Sequence, residues 1–161
     1  MPCWPGDAVS LPTSHAQAQV KNMINRSESE PFEEAFLDVL QNIEASIIHM
    51  YYQNPQLNDL QVDAAIEALI RTYQGESKGQ LPAQPRSEQA KAVYQAVQSI
   101  GEWRLGRQGF TDDERRSIKV EQPLVVNDWI ACLKRIRKSI RLWNKKSGSQ
   151  GYLNYISHFI K

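Results

Sequence analysis

The sequence predicts an all-α protein, a bundle of four main helices with a short C-terminal helix behind it and an irregular N-terminal tail in front. Apolar residues recur every three or four positions in several long segments, and capping residues, glycines or prolines stand at the segment ends. Alternating apolar and polar runs, which would predict half-buried strands, are nearly absent. A chain of 161 residues with 41% hydrophobic and 23% charged residues can bury roughly 68–70% of its unfolded surface without disulfides.

The predicted organisation is an irregular tail over residues 1–27 and a single helical domain over residues 28–161. The tail has no sustained helical or strand period and mixes three prolines and a glycine with small polar residues, which favours irregular structure. It lacks the basic start and the apolar stretch of a secretory signal. Met23 precedes the first periodic segment, and one interpretation is that translation starts there, with residues 1–22 as an upstream extension.

The first helix is predicted over residues 31–53. Pro31 suits the first helical position, and the acids that follow it suit the positive end of the helix dipole. The sequence Asn54-Pro55 ends the helix, because the residue before a proline disfavours helical geometry. The apolar residues cover an arc of roughly 160–180°, wide enough for more than one neighbour; they include Phe36, Leu40, Ile43, Ile47 and Met50.

The second and third helices are predicted over residues 58–74 and 87–104. Asn58 or Asp59 caps the second helix and Ser87 caps the third, since these side chains accept hydrogen bonds from otherwise unpaired backbone N–H groups. A polar linker over residues 75–86 separates them. Each helix carries one apolar stripe: Val62, Ala65, Ile66, Leu69, Ile70 and Tyr73 in the second, and Ala90, Val93, Val97 and Ile100 in the third.

The fourth helix is predicted over residues 126–146 and the short last helix over residues 150–160. Thr111 and Glu114 fit a capping box, so one interpretation is a short helical piece before Pro123. The other is an extended segment that contains Ile118, Val120 and Val125. Gly148 follows two lysines, the usual chemistry of a helix C-terminus. The fourth helix has an apolar stripe with coiled-coil-like spacing, formed by Val126, Trp129, Leu133, Ile136, Ile140 and Trp143.

No sequence motif for catalysis or metal binding is found, so the protein is predicted not to be an enzyme and to hold no cofactor or metal. A di-iron site in a helical bundle needs Glu-x-x-His pairs, and none of His15, His49 and His158 has a glutamate three residues before it. Cys132 lies beside the apolar stripe of the fourth helix, which is typical of a buried, unreactive thiol. Two cysteines in all make no disulfide framework and fit a reducing compartment.

Charge divides the chain into two halves. Residues 1–80 carry a net charge of −7 and residues 81–161 a net charge of +8, which together leave +1. One interpretation is that the halves attract each other within one fold or across a dimer. The other is that the basic half faces an anionic partner.

The basic half offers one candidate surface on the fourth helix. Phosphate binding requires clustered cations of this kind, although a solvated amphipathic helix has the same appearance. The two tryptophans of the helix lie on its apolar side, which lowers the expectation of base stacking. The candidate residues for binding an anion or a partner are Lys134, Arg135, Lys138, Arg141 and Lys145.

Three charged residues project into apolar arcs and predict a buried ion pair. Glu44 interrupts the apolar arc of the first helix, as Arg104 and Arg137 do on the third and fourth. Because an unpaired buried charge costs several kcal/mol, Glu44 is predicted to pair with one of the two arginines. The alternative is that all three lie at the rim of the bundle and extend their charged ends to solvent.

The C-terminal stretch CLKRIRKSIRLWNKKSGSQGYLNYISHFI resembles the C-terminal end of small conserved helical proteins of unknown function from cyanobacteria. Trp143, Gly148, Gly151, Tyr152 and the closing apolar residues carry the resemblance, which in layout extends over roughly residues 30–160. It implies an all-helical cytoplasmic protein and implies no activity, ligand or site.

The sequence therefore predicts a non-enzymatic protein–protein interaction or regulatory module. The apolar faces of the first, fourth and last helices exceed what one small bundle obviously covers, so we expect a homodimer or another protein partner. The alternative is a nucleic-acid-binding protein that uses the basic face of helix 126–146. No apolar run approaches the length of a transmembrane helix.

Overall fold

The computed structural model describes residues 16–111, 113–114 and 125–160, with side chains from residue 34 onward. Its helices are α1 (Ala16–Gln53), α2 (Asp59–Glu76), α3 (Glu88–Arg104), α4 (Val126–Ser147) and α5 (Gly151–Ser157). No strand occurs in these described ranges. The predicted all-α class, four main helices and a short C-terminal helix, is confirmed.

By its internal contacts the chain divides into two units, residues 1–37 and residues 38–161. The predicted start of the first helix at Pro31 is wrong, because α1 already begins at Ala16 and continues through the proline. No glycine or proline stands between Pro12 and Pro31, and residues such as alanine, glutamine and lysine favour helix there. An internal proline destabilises a helix because it removes one backbone hydrogen bond. The helix-forming residues on the N-terminal side of Pro31 outweigh this cost. The irregular tail predicted for residues 1–27 is therefore wrong over residues 16–27, which are helical, and its remainder, residues 1–15, lies outside the described residues.

Helix α2 is the centre of the second unit. Asn58 caps it as predicted: its side chain accepts the Gln61 N–H at 3.1 Å, and the Gln61 side chain accepts the Asn58 N–H at 2.9 Å. The helix packs against α3, α4 and α5. Its buried side chains therefore extend well beyond one stripe and comprise Asp59, Val62, Ala65, Ile66, Ala68, Leu69, Ile70, Thr72 and Tyr73.

Helix α3 begins at the predicted cap, where the Ser87 hydroxyl accepts the Ala90 N–H at 3.1 Å. Near its end it contacts α4 very closely at Gly101. A Cβ atom on Gly101 would lie 2.8 Å from the indole nitrogen of Trp129, so only glycine fits without a shift. The Trp129 ring is fully buried and meets the Tyr73 ring edge-on, with 6.0 Å between the ring centroids.

Helix α4 follows its predicted stripe. Trp129, Leu133, Ile136 and Ile140 are all buried. Gly148 ends the helix in a left-handed conformation with φ of 86°, and its N–H donates to the Asn144 carbonyl at 2.9 Å. The capping box between Thr111 and Glu114 is also present, with hydrogen bonds of 2.9 and 3.2 Å.

Helix α5 is held at its N-terminus by a carboxylate from α2. The fully buried Asp59 accepts the backbone N–H groups of Tyr152 at 2.7 Å and Leu153 at 3.2 Å. Gly151 allows the close approach of α5 to α4, because a Cβ there would lie 2.8 Å from the carbonyl carbon of Trp143. Asp59 therefore acts as a helix cap supplied from a different helix.

Candidate functional site

A groove with a volume of about 200 Å³ lies between α1, α4 and α5. Its polar lining consists of Glu44, Arg135 and Ser139. The rest of the lining is apolar or aromatic and consists of Leu40, Ile136, Tyr155, Ile156 and Phe159. The groove thus combines one apolar surface with one acidic and one basic group.

A row of three aromatic rings borders the groove. Tyr155 stacks on Trp143, with ring centroids 4.3 Å apart and planes inclined by 17°, and also meets Phe159, with centroids 4.9 Å apart. The ammonium group of Lys146 lies 5.2 Å above the Trp143 ring. Phe159 ends the row and is 68% exposed. An exposed aromatic side chain of this size, beside an apolar groove, marks the surface as a candidate docking site.

The acidic group of the groove is fixed by a tyrosine of α5. The Tyr152 hydroxyl, which is buried, donates to the Glu44 carboxylate at 2.9 Å. Desolvation raises the pKa of Glu44 above its ordinary value of 4.5, and the hydrogen bond from Tyr152 partly offsets this shift. Burial and the nearby carboxylate raise the pKa of Tyr152 well above 10. Tyr152 therefore stays a hydrogen-bond donor at neutral pH.

The predicted ion pair between Glu44 and either Arg104 or Arg137 is not formed. Among the described residues, Glu44 is bound by Tyr152, whereas Arg104 pairs with Asp38. Arg137 lies 3.5 Å from Asp63 and 3.4 Å from Glu67. The physical reason is that a neutral hydroxyl donor satisfies Glu44 without burying a second charge. Both arginines keep their charged ends at the edge of the bundle, where they are partly exposed.

The structure divides the candidate basic residues between two faces of α4. Lys134, Lys138, Arg141 and Lys145 follow one another at steps of four, three and four residues and are all exposed, so they form one stripe. Arg135 is turned away from it and lines the groove instead. We call the four-residue row the basic stripe. A shallow cleft of about 280 Å³ runs along it, lined by Lys134, Arg137, Lys138 and Arg141.

The two oppositely charged halves of the sequence meet inside the fold. Acids from the first half pair with arginines from the second, namely Asp38 with Arg104, Glu76 with Arg107, Asp63 with Arg137 and Arg141, and Glu67 with Arg137. Arg107 is the most buried of these arginines, and its guanidinium lies 2.9 Å from Glu76 and 3.1 Å from Glu102. The same Glu102 accepts a hydrogen bond from the Tyr73 hydroxyl. The interpretation that charge is neutralised within one fold therefore accounts for a large part of the asymmetry.

Cys132 lies in the core and has the character of a structural thiol. It is fully buried, and desolvation raises its pKa to about 12. The thiolate, which is the nucleophilic form, is therefore scarce at neutral pH. Within the part of the chain that the structure describes, no three His, Cys, Asp or Glu side chains are grouped to hold a metal ion. The described helices include none of the length and apolar character needed to cross a bilayer.

Sequence reasoning missed Asp59 and Arg107 as organising residues and Phe159 as an exposed aromatic end. Asp59 was a possible cap for α2, but its carboxylate caps α5, which lies more than 90 residues further along the chain. Arg107 lies just after the end of α3, in a stretch for which the sequence analysis predicts no role. No local pattern signals either partner, because each depends on packing between distant helices. The sequence predicts the apolar last helix but does not distinguish buried Ile156 from exposed Phe159.

No protein-family model, no curated protein and no solved structure matches this chain. The resemblance of the C-terminal stretch to small helical cyanobacterial proteins, and the cytoplasmic location that it implies, stay predictions. The groove and the basic stripe therefore have to be interpreted from their own geometry.

Proposed function

We propose that this protein is a non-enzymatic interaction module that forms a homodimer through the groove between α1, α4 and α5. The observation that carries the proposal is Phe159, which is 68% exposed at the end of the aromatic row and directly beside the groove that it helps to line. An exposed large aromatic residue next to an apolar groove is a common feature of docking surfaces.

We favour a second copy as the occupant because this surface offers both an exposed aromatic side chain and an apolar recess. A two-fold interface brings the same patch of both subunits together, so each patch must supply both a projection and a recess. Here Phe159 supplies the projection, and the space between Leu40, Ile136 and Ile156 supplies the recess. In the proposed dimer each Phe159 enters the groove of the partner, and the two contacts form together.

The support of α5 keeps this surface in a defined shape. Asp59 fixes the N-terminus of α5 through two backbone N–H groups, and Glu44 fixes the Tyr152 hydroxyl. Tyr155 is additionally stacked on Trp143 of α4. A binding surface that is already ordered loses less conformational entropy on association, which favours affinity.

The test is the molar mass in solution, measured by size-exclusion chromatography with light scattering at tens of micromolar protein. We expect the wild type to have twice the chain mass of 18.4 kDa. Phe159→Glu should shift the protein to the monomer, because the charged side chain would be buried in an apolar contact. Phe159→Ala should raise the dimer Kd by about 30-fold, the effect of a hot spot worth about 2 kcal/mol.

Leu81→Glu is the matched control, because Leu81 is 81% exposed and lies in the loop between α2 and α3, away from the groove. This variant should keep the wild-type mass. A monomeric wild type under these conditions would refute the proposal. An equal rise in the dimer Kd for the substitutions at positions 81 and 159 would refute it as well. Circular dichroism of each variant shows whether the helices remain folded.

A further inference from the structure

The basic stripe of α4 is a second surface, separate from the groove. Its cations, Lys134, Lys138, Arg141 and Lys145, are exposed and project from one side of a helix whose opposite side is buried in the bundle. At a rise of 1.5 Å per residue, the eleven steps from Lys134 to Lys145 extend about 16 Å. Phosphates of one strand of a duplex follow one another about every 3.4 Å along the duplex axis, so the stripe matches about five of them in length.

The arginines of this region are held in place by acids of α2. Asp63 lies 3.2 Å from Arg141 and 3.5 Å from Arg137, and Glu67 lies 3.4 Å from Arg137. Among the described residues, no carboxylate forms an ion pair with Lys134, Lys138 or Lys145. The five cations therefore exceed the two neighbouring acids, and the excess positive charge lies along the exposed edge of the cleft.

We propose that the basic stripe binds the phosphate backbone of double-stranded nucleic acid without reading its sequence. Among the described residues, the cleft of about 280 Å³ is lined by lysine and arginine side chains of α4, which suits a regular row of phosphates. The described residues that line it include no aromatic side chain, and Trp143 is stacked on Tyr155 instead. Stacking platforms are what proteins use to hold single strands, so the stripe favours a duplex.

An anionic membrane surface fits these observations less well. A helix that lies in a membrane interface exposes an apolar face beside its basic face. The apolar face of α4 instead packs in the core, where Trp129, Leu133, Ile136 and Ile140 are buried. Beside the stripe, Leu142 is the large apolar side chain of α4 that is exposed, at 54%. One such residue is much less than the apolar face that an interfacial helix places in the lipid.

The test is fluorescence anisotropy of the full chain with a labelled 20-base-pair duplex of random sequence, titrated at several salt concentrations. With about four phosphates neutralised, affinity should fall about 100-fold between 50 and 200 mM salt. The double variant Lys134→Gln/Lys138→Gln should bind more weakly, and its affinity should fall only about 10-fold over the same range, since two contacts are lost.

The control is Lys78→Gln/Arg86→Gln, which removes the same charge from two exposed positions in the loop between α2 and α3. It should bind like the wild type. The proposal would be overturned if the wild type did not bind the duplex at 50 mM salt. It would also be overturned if both double variants lost the same amount of affinity for the duplex. Tighter binding of the corresponding single strand would overturn it as well, as would binding to phosphatidylserine vesicles in place of the duplex. The Phe159→Glu variant should retain duplex binding, which separates this surface from the dimer groove.

Discussion

Removal of the Asp59 carboxylate should loosen α5 from the bundle. The carboxylate is fully buried and accepts two backbone N–H groups at the start of α5, at 2.7 and 3.2 Å. In Asp59→Ala both N–H groups lose their carboxylate acceptor in a buried site. The backbone N–H of residue 59, which donates to the Ser149 carbonyl at 2.7 Å, is unaffected by this change.

The expected loss of stability follows from these contacts. A hydrogen bond to a charged group contributes about 1.5–3 kcal/mol, and loss of a helix cap costs about 0.5–2 kcal/mol. Burial raises the pKa of Asp59 above its ordinary value of 3.8, so the wild type already bears a desolvation cost that offsets part of this gain. We therefore expect Asp59→Ala to lower the free energy of unfolding by about 3 kcal/mol. For a chain of this length the melting temperature should fall by roughly 6–12 °C.

Urea unfolding gives the global effect, and amide hydrogen exchange locates it. In Asp59→Ala the amides of Tyr152 and Leu153 should lose protection more than those at the centre of α4. Asp59→Asn should cost less than Asp59→Ala, because the amide keeps one acceptor oxygen and carries no charge. Glu88→Ala is the control, since Glu88 also lies in a first helical turn but its side chain is 87% exposed. A loss below about 0.5 kcal/mol for Asp59→Ala, or unchanged exchange in α5, would refute the role of this cap.

Two further predictions concern protonation and close packing. Because burial raises the pKa of both Glu44 and Asp59, the folded state binds these protons more tightly than the unfolded state does. Their contribution to the free energy of unfolding should therefore increase as the pH falls from 7 towards the ordinary values of 4.5 and 3.8, and be lost again as the pH rises. Urea unfolding at pH 7 and pH 5 should show this gain in the wild type relative to Glu44→Gln/Asp59→Asn, and parallel curves would contradict it. Gly101→Ala should lower the free energy of unfolding by about 2–3 kcal/mol through overpacking against Trp129, as measured by urea unfolding. Gly75→Ala is the control and should cost less, because φ is not positive at Gly75 and a Cβ there would meet the flexible Gln80 side chain at 3.0 Å. An equal cost at both positions would be inconsistent with the close contact at Gly101.

The helices themselves follow closely from local sequence. Asn58, Ser87 and Gly148 mark helix ends in the structure as the sequence predicts, because caps depend on hydrogen bonds to residues only a few positions away. The stripe of α4 likewise predicts its buried face. The start of α1 was predicted wrongly, since a proline suits both the first turn of a helix and, at some cost, its interior.

The candidate surfaces follow from the sequence only in part. The basic residues of α4 are visible as a cluster, but their division into the basic stripe and Arg135 in the groove depends on which neighbours α4 packs against. The partner of Glu44 was predicted from charge alone and proved to be a hydroxyl group. Sequence patterns indicate that a polar group in an apolar arc needs a partner, and they do not indicate which distant side chain reaches it.

By itself, the sequence determined the helical class, most helix ends, the buried stripe of α4 and the opposite charges of the two halves. These properties arise from hydrogen bonds and periodicities within one helix or from composition. Only the tertiary structure decided that Asp59 of α2 caps α5, that Arg107 is buried between Glu76 and Glu102, and that Phe159 stands beside an open groove. Each of these depends on the distance between residues from different helices, which packing of the whole bundle sets and no short stretch of sequence encodes.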